Sequence, residues 1–509
     1  NIRSWELISW KLVATLLITC VPAIAQQQAP AIGYMYPSGG QAGTTLDVVL
    51  GGYDWTPDIE LFVHDSEIRL ELTGSAGPVI VPEPPYWFEK KARRPPFLMP
   101  RERPARLTIP RGTKPGVYRW QAANANGATA TGRFIVSELS EVREEADRAE
   151  PQSVNSLPVV VSGQIRKIEE VDRYRFTTHR DGPISISLVA AAIGSPLTAA
   201  VEVRDDSGEL VAEAADTDGN DLFFTFAAKA AQAYVASIYD VDFRGNRSFV
   251  YRMTITPTPH VVAAIPAAGK RGETRDVEFI GYGIASGGAM LESLTQSVAF
   301  PNEPTDSFTM RLKTPFGLAE PISLLLSDVA EVVELDHQRD EASPLAIPSA
   351  VTGVLEQRYA EDRYVVSGTK GEVWAINLQA KTIGSVVDVA LSVRDSQGKE
   401  LARSDDLPGT TDTGLEFVVP ADGSYELIVS DSSGLSGNRA ATYRLAVQRA
   451  TPGFTLSGPE FVNVPLGGKT ILAIKATRVG GYKEAINLQI DGLPEGVSVP
   501  EGITIPAGK

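Results

Sequence analysis

Cysteine and histidine are scarce in this chain. Its 509 residues include one cysteine, Cys20, and four histidines. A single thiol cannot form an intrachain disulfide, and the scarcity leaves few candidates for a nucleophile or its base. The sequence also has no Gly-x-Ser-x-Gly elbow, no His-Glu-x-x-His pair and no P-loop, which are the motifs of common hydrolases and phosphoryl-transfer proteins. We therefore assign no catalytic residue and expect no enzymatic activity from this chain.

Positive charge and long apolar runs are scarce as well. Lysine and arginine number 47 against 63 aspartates and glutamates, which gives a net charge of −16 and a pI near 4.9. Nucleic-acid binding needs basic surface that replaces phosphate counterions, so the composition argues against a nucleic-acid partner. After residue 25 no apolar run approaches the roughly 20 residues of a membrane-spanning helix. We expect no integral membrane span in the mature chain.

The first 25 residues have the pattern of a secretory signal peptide. Basic residues accompany an apolar stretch at 12–21, and Ala23-Ile24-Ala25 offers the small residues of a cleavage site. We expect cleavage after Ala25 and export to the cell envelope or the medium. Since Cys20 lies in the removed segment, the mature protein would carry no thiol.

Internal repetition is abundant, in contrast to these absences. A first pattern, Tyr36-Pro37-Ser38-Gly39-Gly40-Gln41-Ala42-Gly43, returns 229 positions later as Ile265-Pro266-Ala267-Ala268-Gly269-Lys270-Arg271-Gly272. A second pattern contains Gly163 and Asp172-Arg173-Tyr174, and it returns 190 positions later with Gly353 and Asp362-Arg363-Tyr364. Two module types therefore alternate as A, B, A, B, followed by a segment C. Tandem duplication builds length and adhesive surface, whereas a catalytic site is usually made once.

The repeat spacing predicts the domain organisation of this chain. A length of 509 residues is too great for one hydrophobic core and agrees with several domains of roughly 100 to 150 residues. The predicted units are a signal peptide at 1–25, module A1 at 30–137, module B1 at 138–257, module A2 at 258–333, module B2 at 334–449 and the start of a truncated module C at 450–509.

The fold class follows from strand patterns and turns. Short segments of alternating apolar and polar residues predict half-buried strands, and glycine-containing turns such as Asp206-Ser207-Gly208 and Ser396-Gln397-Gly398 predict hairpins. We therefore expect an all-β chain of tandem β-sandwich domains, immunoglobulin-like and jelly-roll-like, in a multi-domain array.

One stretch of A1 has no counterpart in A2. Module A2 reaches Thr314-Pro315 after a spacing 24 residues shorter than the one A1 takes to reach Ile109-Pro110. We interpret the difference as a proline-rich insertion at 81–104 with a net charge of +3. Such a loop either binds a partner or folds back over its own sandwich. Its candidate binding residues are Trp87, Arg93, Arg94 and Phe97.

These signatures resemble known bacterial families. The B modules, with Val161-Ser162-Gly163, Asp172-Arg173-Tyr174 and a closing strand at Tyr251, are similar to pre-peptidase C-terminal domains. The A modules resemble IPT/TIG immunoglobulin-like domains through the segment at 37–43 and Gly52. Module C is similar to the opening of a bacterial immunoglobulin-like domain through Gly492-Leu493-Pro494. The resemblance implies a series of β-sandwiches of the kind found in large secreted planctomycete-type proteins and beside secreted peptidases.

The resemblance also implies a calcium site. Pre-peptidase-type domains bind calcium through Glu, Asn and Asp oxygens of the lead-in segment, but Gln152 and Ser153 occupy the positions expected to be Asn and Asp. A second acidic cluster holds Asp216, Asp218 and Asp221, and its B2 counterpart holds Asp405 and Asp406, with Asp412 nearby. Each cluster is either a weak calcium site or a solvated turn. We expect no other cofactor and at most weak calcium dependence.

Taken together, these features favour a binding role. We expect a secreted or envelope-associated, non-catalytic scaffold or adhesion protein that binds extracellular protein or polysaccharide. The alternative is an accessory region of a secreted peptidase or other hydrolase whose catalytic domain lies beyond Lys509. The start at Asn1 and the unfinished strand pattern at Lys509 make us expect a fragment.

Overall fold

The computed structural model describes residues 29–78, 99–216, 221–288, 290–334, 342–385, 387–407, 410–432, 437–459, 462–464 and 467–508. These ranges contain β-strands and two single-turn 3-10 helices, at Ala191–Ile193 and Lys381–Ile383, and no α-helix. The chain is an all-β array of sandwich modules, which confirms the predicted fold class. The predicted signal peptide lies outside the described residues.

Module A1 is a sandwich of a four-stranded sheet, β1-β3-β6-β5, and a five-stranded sheet in which β2-β9-β7-β4 are neighbours in that order and β8 pairs with β7. Its core surrounds Trp120 and Phe134, whose side chains are almost fully buried. The strands of A1 are β1 Ala31–Tyr36, β2 Gly39–Gln41, β3 Thr45–Tyr53, β4 Glu60–Val63, β5 Arg69–Leu72, β6 Arg101–Thr108, β7 Gly116–Asn124, β8 Gly127–Ala128 and β9 Gly132–Ser137.

Module B1 is a sandwich of two five-stranded sheets, β10-β12-β19-β14-β17 and β11-β13-β18-β15-β16. The first strand of each sheet comes from the lead-in segment and pairs in parallel with its neighbour. The strands of B1 are β10 Glu141–Arg143, β11 Gln152–Ser153, β12 Val159–Gln164, β13 Asp172–Thr177, β14 Gly182–Val189, β15 Ala199–Asp205, β16 Leu210–Ala215, β17 Leu222–Ala228, β18 Ala233–Asp240 and β19 Val250–Thr256.

Module A2 is a smaller version of A1, with two three-stranded sheets, β20-β22-β23 and β21-β25-β24. Its core surrounds Phe279 and Phe300. The strands of A2 are β20 His260–Ile265, β21 Ala268–Lys270, β22 Thr274–Tyr282, β23 Leu291–Ala299, β24 Ser307–Thr314 and β25 Gly317–Ser327.

Module B2 repeats the two five-stranded sheets of B1 in the same strand order, as β26-β28-β35-β30-β33 and β27-β29-β34-β31-β32. Because β26 at 330–333 pairs with β28, these residues belong to B2, and the predicted boundary between 333 and 334 was wrong. Its core surrounds Trp374, which has no exposed surface. The strands of B2 are β26 Ala330–Val333, β27 Ser343–Pro344, β28 Ser349–Val354, β29 Glu361–Gly368, β30 Val373–Gln379, β31 Val389–Asp395, β32 Glu400–Ser404, β33 Thr413–Val418, β34 Gly423–Asp431 and β35 Thr442–Arg449.

Segment C contributes two short antiparallel pairs among the described residues. Its strands are β36 Gly453–Ser457, β37 Lys475–Val479, β38 Ile486–Asn487 and β39 Thr504–Ile505.

The predicted insertion at 81–104 needs a correction. Residues 101–104 belong to β6 and pair with β3 in the middle of a sheet, so they are part of the sandwich. The backbone N–H of Gly43 donates to the carbonyl of Ile109, and that of Gly272 donates to Phe300, each at 3.0 Å. Ile109 therefore corresponds to Phe300, and the alignment of Ile109 with Thr314 was wrong.

The corrected alignment enlarges the difference between the two A modules. Gly43 and Ile109 are 66 positions apart, whereas Gly272 and Phe300 are 28 positions apart. The additional A1 sequence therefore includes β4 and β5 as well as residues 79–98, which lie outside the described part. The signal that identifies the true match is the repeated pair Ile109-Pro110 and Phe300-Pro301.

Candidate functional site at the module junctions

A seven-residue motif, Asn-Arg-x-x-x-Tyr-Arg, introduces the last strand of each B module, at 246–252 and 438–444. The side chain of Asn246 accepts a hydrogen bond from the backbone N–H of Ser248 at 2.8 Å, and Asn438 accepts one from Ala440 at 2.7 Å. These Asx turns start β19 and β35. Because neighbouring residues of a strand face opposite sides of the sheet, the motif's tyrosine enters the core and its last arginine faces outward.

The inward tyrosines form the same buried network in both copies. In B1 the Tyr251 hydroxyl donates to Asp172 Oδ2 at 2.7 Å and lies 2.7 Å from the Tyr174 hydroxyl. In B2 the Tyr443 hydroxyl donates to Asp362 Oδ2 at 2.6 Å and lies 2.6 Å from the Tyr364 hydroxyl. The repeated Asp-Arg-Tyr signature therefore supplies a buried acceptor and a core ring.

The glycine of the second repeat pattern makes room for this network. Gly163 faces Tyr251 across the β12–β19 pair, and Gly353 faces Tyr443 across the β28–β35 pair. A Cβ at either glycine would overlap the phenol group of the facing tyrosine. Glycine is thus required at these two positions because the tyrosine ring lies so close to the backbone, and not because the chain turns there.

Burial raises the pKa values of the carboxylic acids in and beside this network. Burial, reinforced by the charge of Glu144, raises the pKa of Asp172 to about 8. In B2 burial and the charge of Asp362 raise the pKa of Glu334 to about 7, and burial raises the pKa of Asp362 to about 6. Because water is excluded from these groups, their protonated forms are favoured up to nearly neutral pH.

The outward arginine of each motif forms an ion pair with the first strand of its module. Arg252 Nη1 lies 3.1 Å from Glu141 Oε1, and Arg444 Nη2 lies 2.5 Å from Glu331 Oε1. The Arg252 side chain is 3% exposed and the Glu331 side chain is 0% exposed. Buried charges of this kind are retained only when they are paired and hydrogen-bonded.

Both buried arginines also contact the preceding A module. The Arg252 guanidinium lies against the backbone at Gly39, where a Cβ would collide with it. Arg444 Nη2 donates to Ser327 Oγ at 3.3 Å, at the end of β25. The same side chain therefore joins the inside of a B module to the surface of an A module in each copy.

The A1–B1 junction adds an apolar contact to this ion pair. Tyr34 and Tyr36 of A1 pack with Ile193 and Val250 of B1 in one buried cluster. The Tyr36 hydroxyl donates to the carbonyl of Ser162 at 3.4 Å. The two modules thus share a small hydrophobic core.

The first arginine of the motif crosses the junction in both copies. Arg247 Nη1 lies 2.5 Å from Glu102 Oε2 of A1, and Arg439 Nη2 lies 2.6 Å from Glu278 Oε1 of A2. In the second copy the backbone N–H of Ala267 also donates to Thr352 Oγ1 at 3.1 Å. In each copy, which we call an A–B unit, the same motif arginine of the B module thus forms an ion pair with the preceding A module. Its partner lies on β6 in the first A–B unit and on β22 in the second, which are not equivalent strands.

The contacts between the two units are different. Arg180 of B1 donates to the carbonyl of Phe316 in A2 at 3.2 Å, and Phe223 stacks on His260 with ring centroids 3.8 Å apart. Neither contact uses the motif that fastens the A–B units.

The predicted calcium residues are used in other ways. Asp221 accepts hydrogen bonds from the backbone N–H groups of three successive residues, 190–192, at 2.7 to 3.1 Å. Asp412 accepts from the backbone of Ala380 and Thr382 in the equivalent place of B2. The two carboxylates cap the 3-10 turns, so their oxygens already have donors.

The remaining acidic candidates are not brought together. The backbone N–H of Asp216 donates to Ala199, and Asp218 lies outside the described residues. Asp405 and Asp406 are exposed. Burial is the main cause of the raised pKa of Asp388, and the charges of Asp406 and Asp405 contribute to it. In the described ranges no group of three His, Cys, Asp or Glu side chains is arranged to hold a metal ion.

The side chain of Gln152 holds the lead-in segment together through hydrogen bonds. Its Oε1 accepts from the backbone of Glu145 at 3.1 Å and from Arg148 at 2.8 Å, and its Nε2 donates to the carbonyl of Arg143 at 3.0 Å. The amide oxygen of Gln152, which is the atom that could bind calcium, already accepts two hydrogen bonds within the lead-in segment. These residues do not fit the calcium site that the resemblance implies.

The predicted binding loop cannot be placed. Its four candidate residues, Trp87, Arg93, Arg94 and Phe97, lie outside the described residues. The junction residues, in contrast, were missed by the sequence analysis, which noted a closing strand at Tyr251 and not the Asn-Arg pair five residues before it. The signal that identifies them is the recurrence of the whole motif.

No family model matches the chain, and no curated protein matches it. Among solved structures it is similar to the pre-peptidase C-terminal domain of a collagenase from Bacillus anthracis. That likeness has 15% identity and a TM-score of 0.18, and it covers 22% of this chain and 100% of the domain.

Two larger structures are also similar. One is the M60 catalytic domain with its CBM51-1 and CBM51-2 domains from Clostridium perfringens, at 10% identity and a TM-score of 0.16, covering 82% of this chain and 54% of that chain. The other is the mixed-linkage glucan utilization protein SGBP-B from Bacteroides ovatus, at 10% identity and a TM-score of 0.13, covering 81% and 72%. The chain spans about half the length of the first of these. Such identities and TM-scores establish no shared function.

In the described ranges, no helix combines the length and apolar character that crossing a membrane requires.

Proposed function

We propose that the chain is a secreted or envelope-associated, non-catalytic scaffold or adhesion protein that binds extracellular protein or polysaccharide. The proposal includes export by the N-terminal signal. It also assigns the B modules to the pre-peptidase C-terminal type and the A modules to the IPT/TIG immunoglobulin-like type.

The duplicated A–B junction is the observation that supports this proposal. The chain repeats a buried ion pair, Arg252–Glu141 and Arg444–Glu331, and uses it both times beside an inter-module contact. Fixed module orientations present surfaces at a low entropic cost of binding. A chain that repeats the same buried ion pair at two junctions is organised to hold the surfaces of neighbouring modules in fixed positions.

The binding prediction is tested with the mature chain, residues 26–509. We expect it to be retained by at least one insoluble polysaccharide or one immobilised extracellular protein, because the modules are presented in fixed pairs. Retention is measured by sedimentation with cellulose, chitin and cell-wall material and by plate binding to collagen and fibrinogen, with serum albumin as the control.

The same preparation is assayed for turnover. We expect no release of product from casein or from nitrophenyl esters beyond the rate of the buffer. Reproducible turnover that disappears when one Ser, His or Asp is substituted would contradict the scaffold and favour the peptidase-accessory alternative.

A further inference from the structure

A cleft lies between modules A2 and B2. It has a volume of about 460 Å³ and is bounded by residues 326–329 of A2 and by β30, β35 and the start of β33 in B2. This volume falls within the range of small-molecule sites. Its wall combines apolar side chains with polar ones. The apolar residues are Leu326, Val329, Leu407 and Ala446, and the amides and hydroxyls are those of Asn377, Gln379, Gln448, Thr382 and Thr413.

Each charged group of the cleft already has a partner. Arg444 is paired with Glu331. Asp328 is paired with Arg271, with Oδ1 and Nε 2.8 Å apart. Asp412 accepts hydrogen bonds from the backbone and the hydroxyl of Thr382. Two of the three charged groups are therefore in ion pairs, and the third has its hydrogen bonds supplied by the protein, which favours a neutral ligand over an ionic one.

Two amides in the wall are free to bind. Asn377 and Gln448 are exposed, and within the described part of the chain their side chains make no hydrogen bond. Gln379 is held in place because its Oε1 accepts from Arg444 Nη1 at 2.8 Å. A side-chain amide offers two donors and an acceptor, which suits neighbouring hydroxyl groups of a sugar ring.

The first A–B unit lacks these amides. Val189 stands across from Arg252 as Gln379 stands across from Arg444, which makes the two positions equivalent. Val189 packs against the apolar A1–B1 cluster beside Ile135, so the corresponding space is occupied by side chains. The same pairing makes Ser187 equivalent to Asn377. The second junction thus has amides at two positions where the first has a valine and a serine.

We propose that the A2–B2 cleft binds a segment of a neutral oligosaccharide, with Asn377 and Gln448 hydrogen-bonding its hydroxyl groups. This inference rests on the proposed function and names the ligand class and the place of binding. Arg444 acts through its ion pair and its bond to Gln379, and it positions the cleft wall.

The test is calorimetric titration of residues 26–509 with cellohexaose, chitohexaose and mannohexaose, and with hexagalacturonate as the acidic probe. We expect at least one neutral hexasaccharide to bind, and the variant Asn377→Ser/Gln448→Thr to weaken that binding by about tenfold, because two hydrogen bonds are lost. A first-unit variant, Ser187→Ala/Thr256→Ala, changes the positions equivalent to Asn377 and Gln448. It serves as the matched control and should change the affinity by less than about twofold.

Failure of the cleft proposal can be distinguished from failure of the proposed function. Unfolding curves of the variants, including Asn377→Ala, establish that they fold. Neutral binding that is unchanged in Asn377→Ser/Gln448→Thr would overturn the cleft and leave the proposed function standing. Binding of hexagalacturonate alone, or of none of the four sugars at millimolar concentration, would also overturn the cleft. The proposed function itself fails only if the polymer and protein surfaces retain nothing.

Discussion

Replacing Arg444 by alanine is expected to lower the free energy of unfolding of module B2 by about 3–5 kcal/mol. The substitution leaves the Glu331 carboxylate, whose side chain is 0% exposed, without its cation. It also removes the hydrogen bonds from Arg444 to Gln379 and Ser327. A buried charge without a partner is among the most destabilising changes a single substitution makes.

The matched control is Arg449→Ala in the same strand. Arg449 lies 2.9 Å from Glu372, but its side chain is 66% exposed, so its removal should cost less than about 1 kcal/mol. The measurement is hydrogen exchange of β35 in the intact chain, read by mass spectrometry under native conditions. If Arg444→Ala opened β35 no more easily than Arg449→Ala, the buried pair would not fasten the module.

The second large effect is a fall in stability as the pH rises. The pKa of Asp172 is raised by burial to about 8, and that of Asp362 to about 6. In the unfolded chain both carboxyls lose their protons near pH 4. Between these values the folded state holds protons that the unfolded state has lost, so raising the pH favours unfolding by up to about 1.4 kcal/mol per pH unit and group.

The variant Asp172→Asn/Asp362→Asn should remove the contribution of these two groups and leave that of Glu334, whose pKa is raised chiefly by burial. An asparagine keeps an oxygen that accepts from Tyr251 or Tyr443 and cannot ionise. We expect the variant to be more stable than the wild type at pH 8 and to have a flatter profile between pH 5 and 8. Thermal unfolding in the presence of a chelator measures both, with Asp47→Asn as an exposed control. A wild-type stability that rises with pH would contradict the buried protonated network.

The turns and strands of the fold were accessible from sequence because they depend on local chemistry. The predicted hairpins at Gly208 and Gly398 are confirmed: both glycines have positive φ, at 86° and 79°, and the strands on either side pair. Glycine is the residue that adopts this backbone without a steric penalty. A short-range signal of this kind survives in a single sequence.

The junctions were not accessible in the same way. Arg444 and Glu331 are 113 positions apart, and nothing local to either residue shows that the two are buried together. The alignment of A1 with A2 failed for a related reason. Module A2 has two residues followed by proline, Phe300 and Thr314, and the sequence analysis matched Ile109 to Thr314 and not to Phe300. The backbone hydrogen bond from Gly272 to Phe300 identifies the true match.

The account holds that each A module and the following B module form one rigid unit, and spin-label distances test this most directly. Residues 26–509 contain no cysteine. Labels are therefore placed by Thr45→Cys/Ser207→Cys in the first unit and by the equivalent Thr274→Cys/Gln397→Cys in the second, all at exposed positions. We predict a single narrow distance distribution for each pair. Broad distributions in both units, as for modules joined by a flexible linker, would contradict the account.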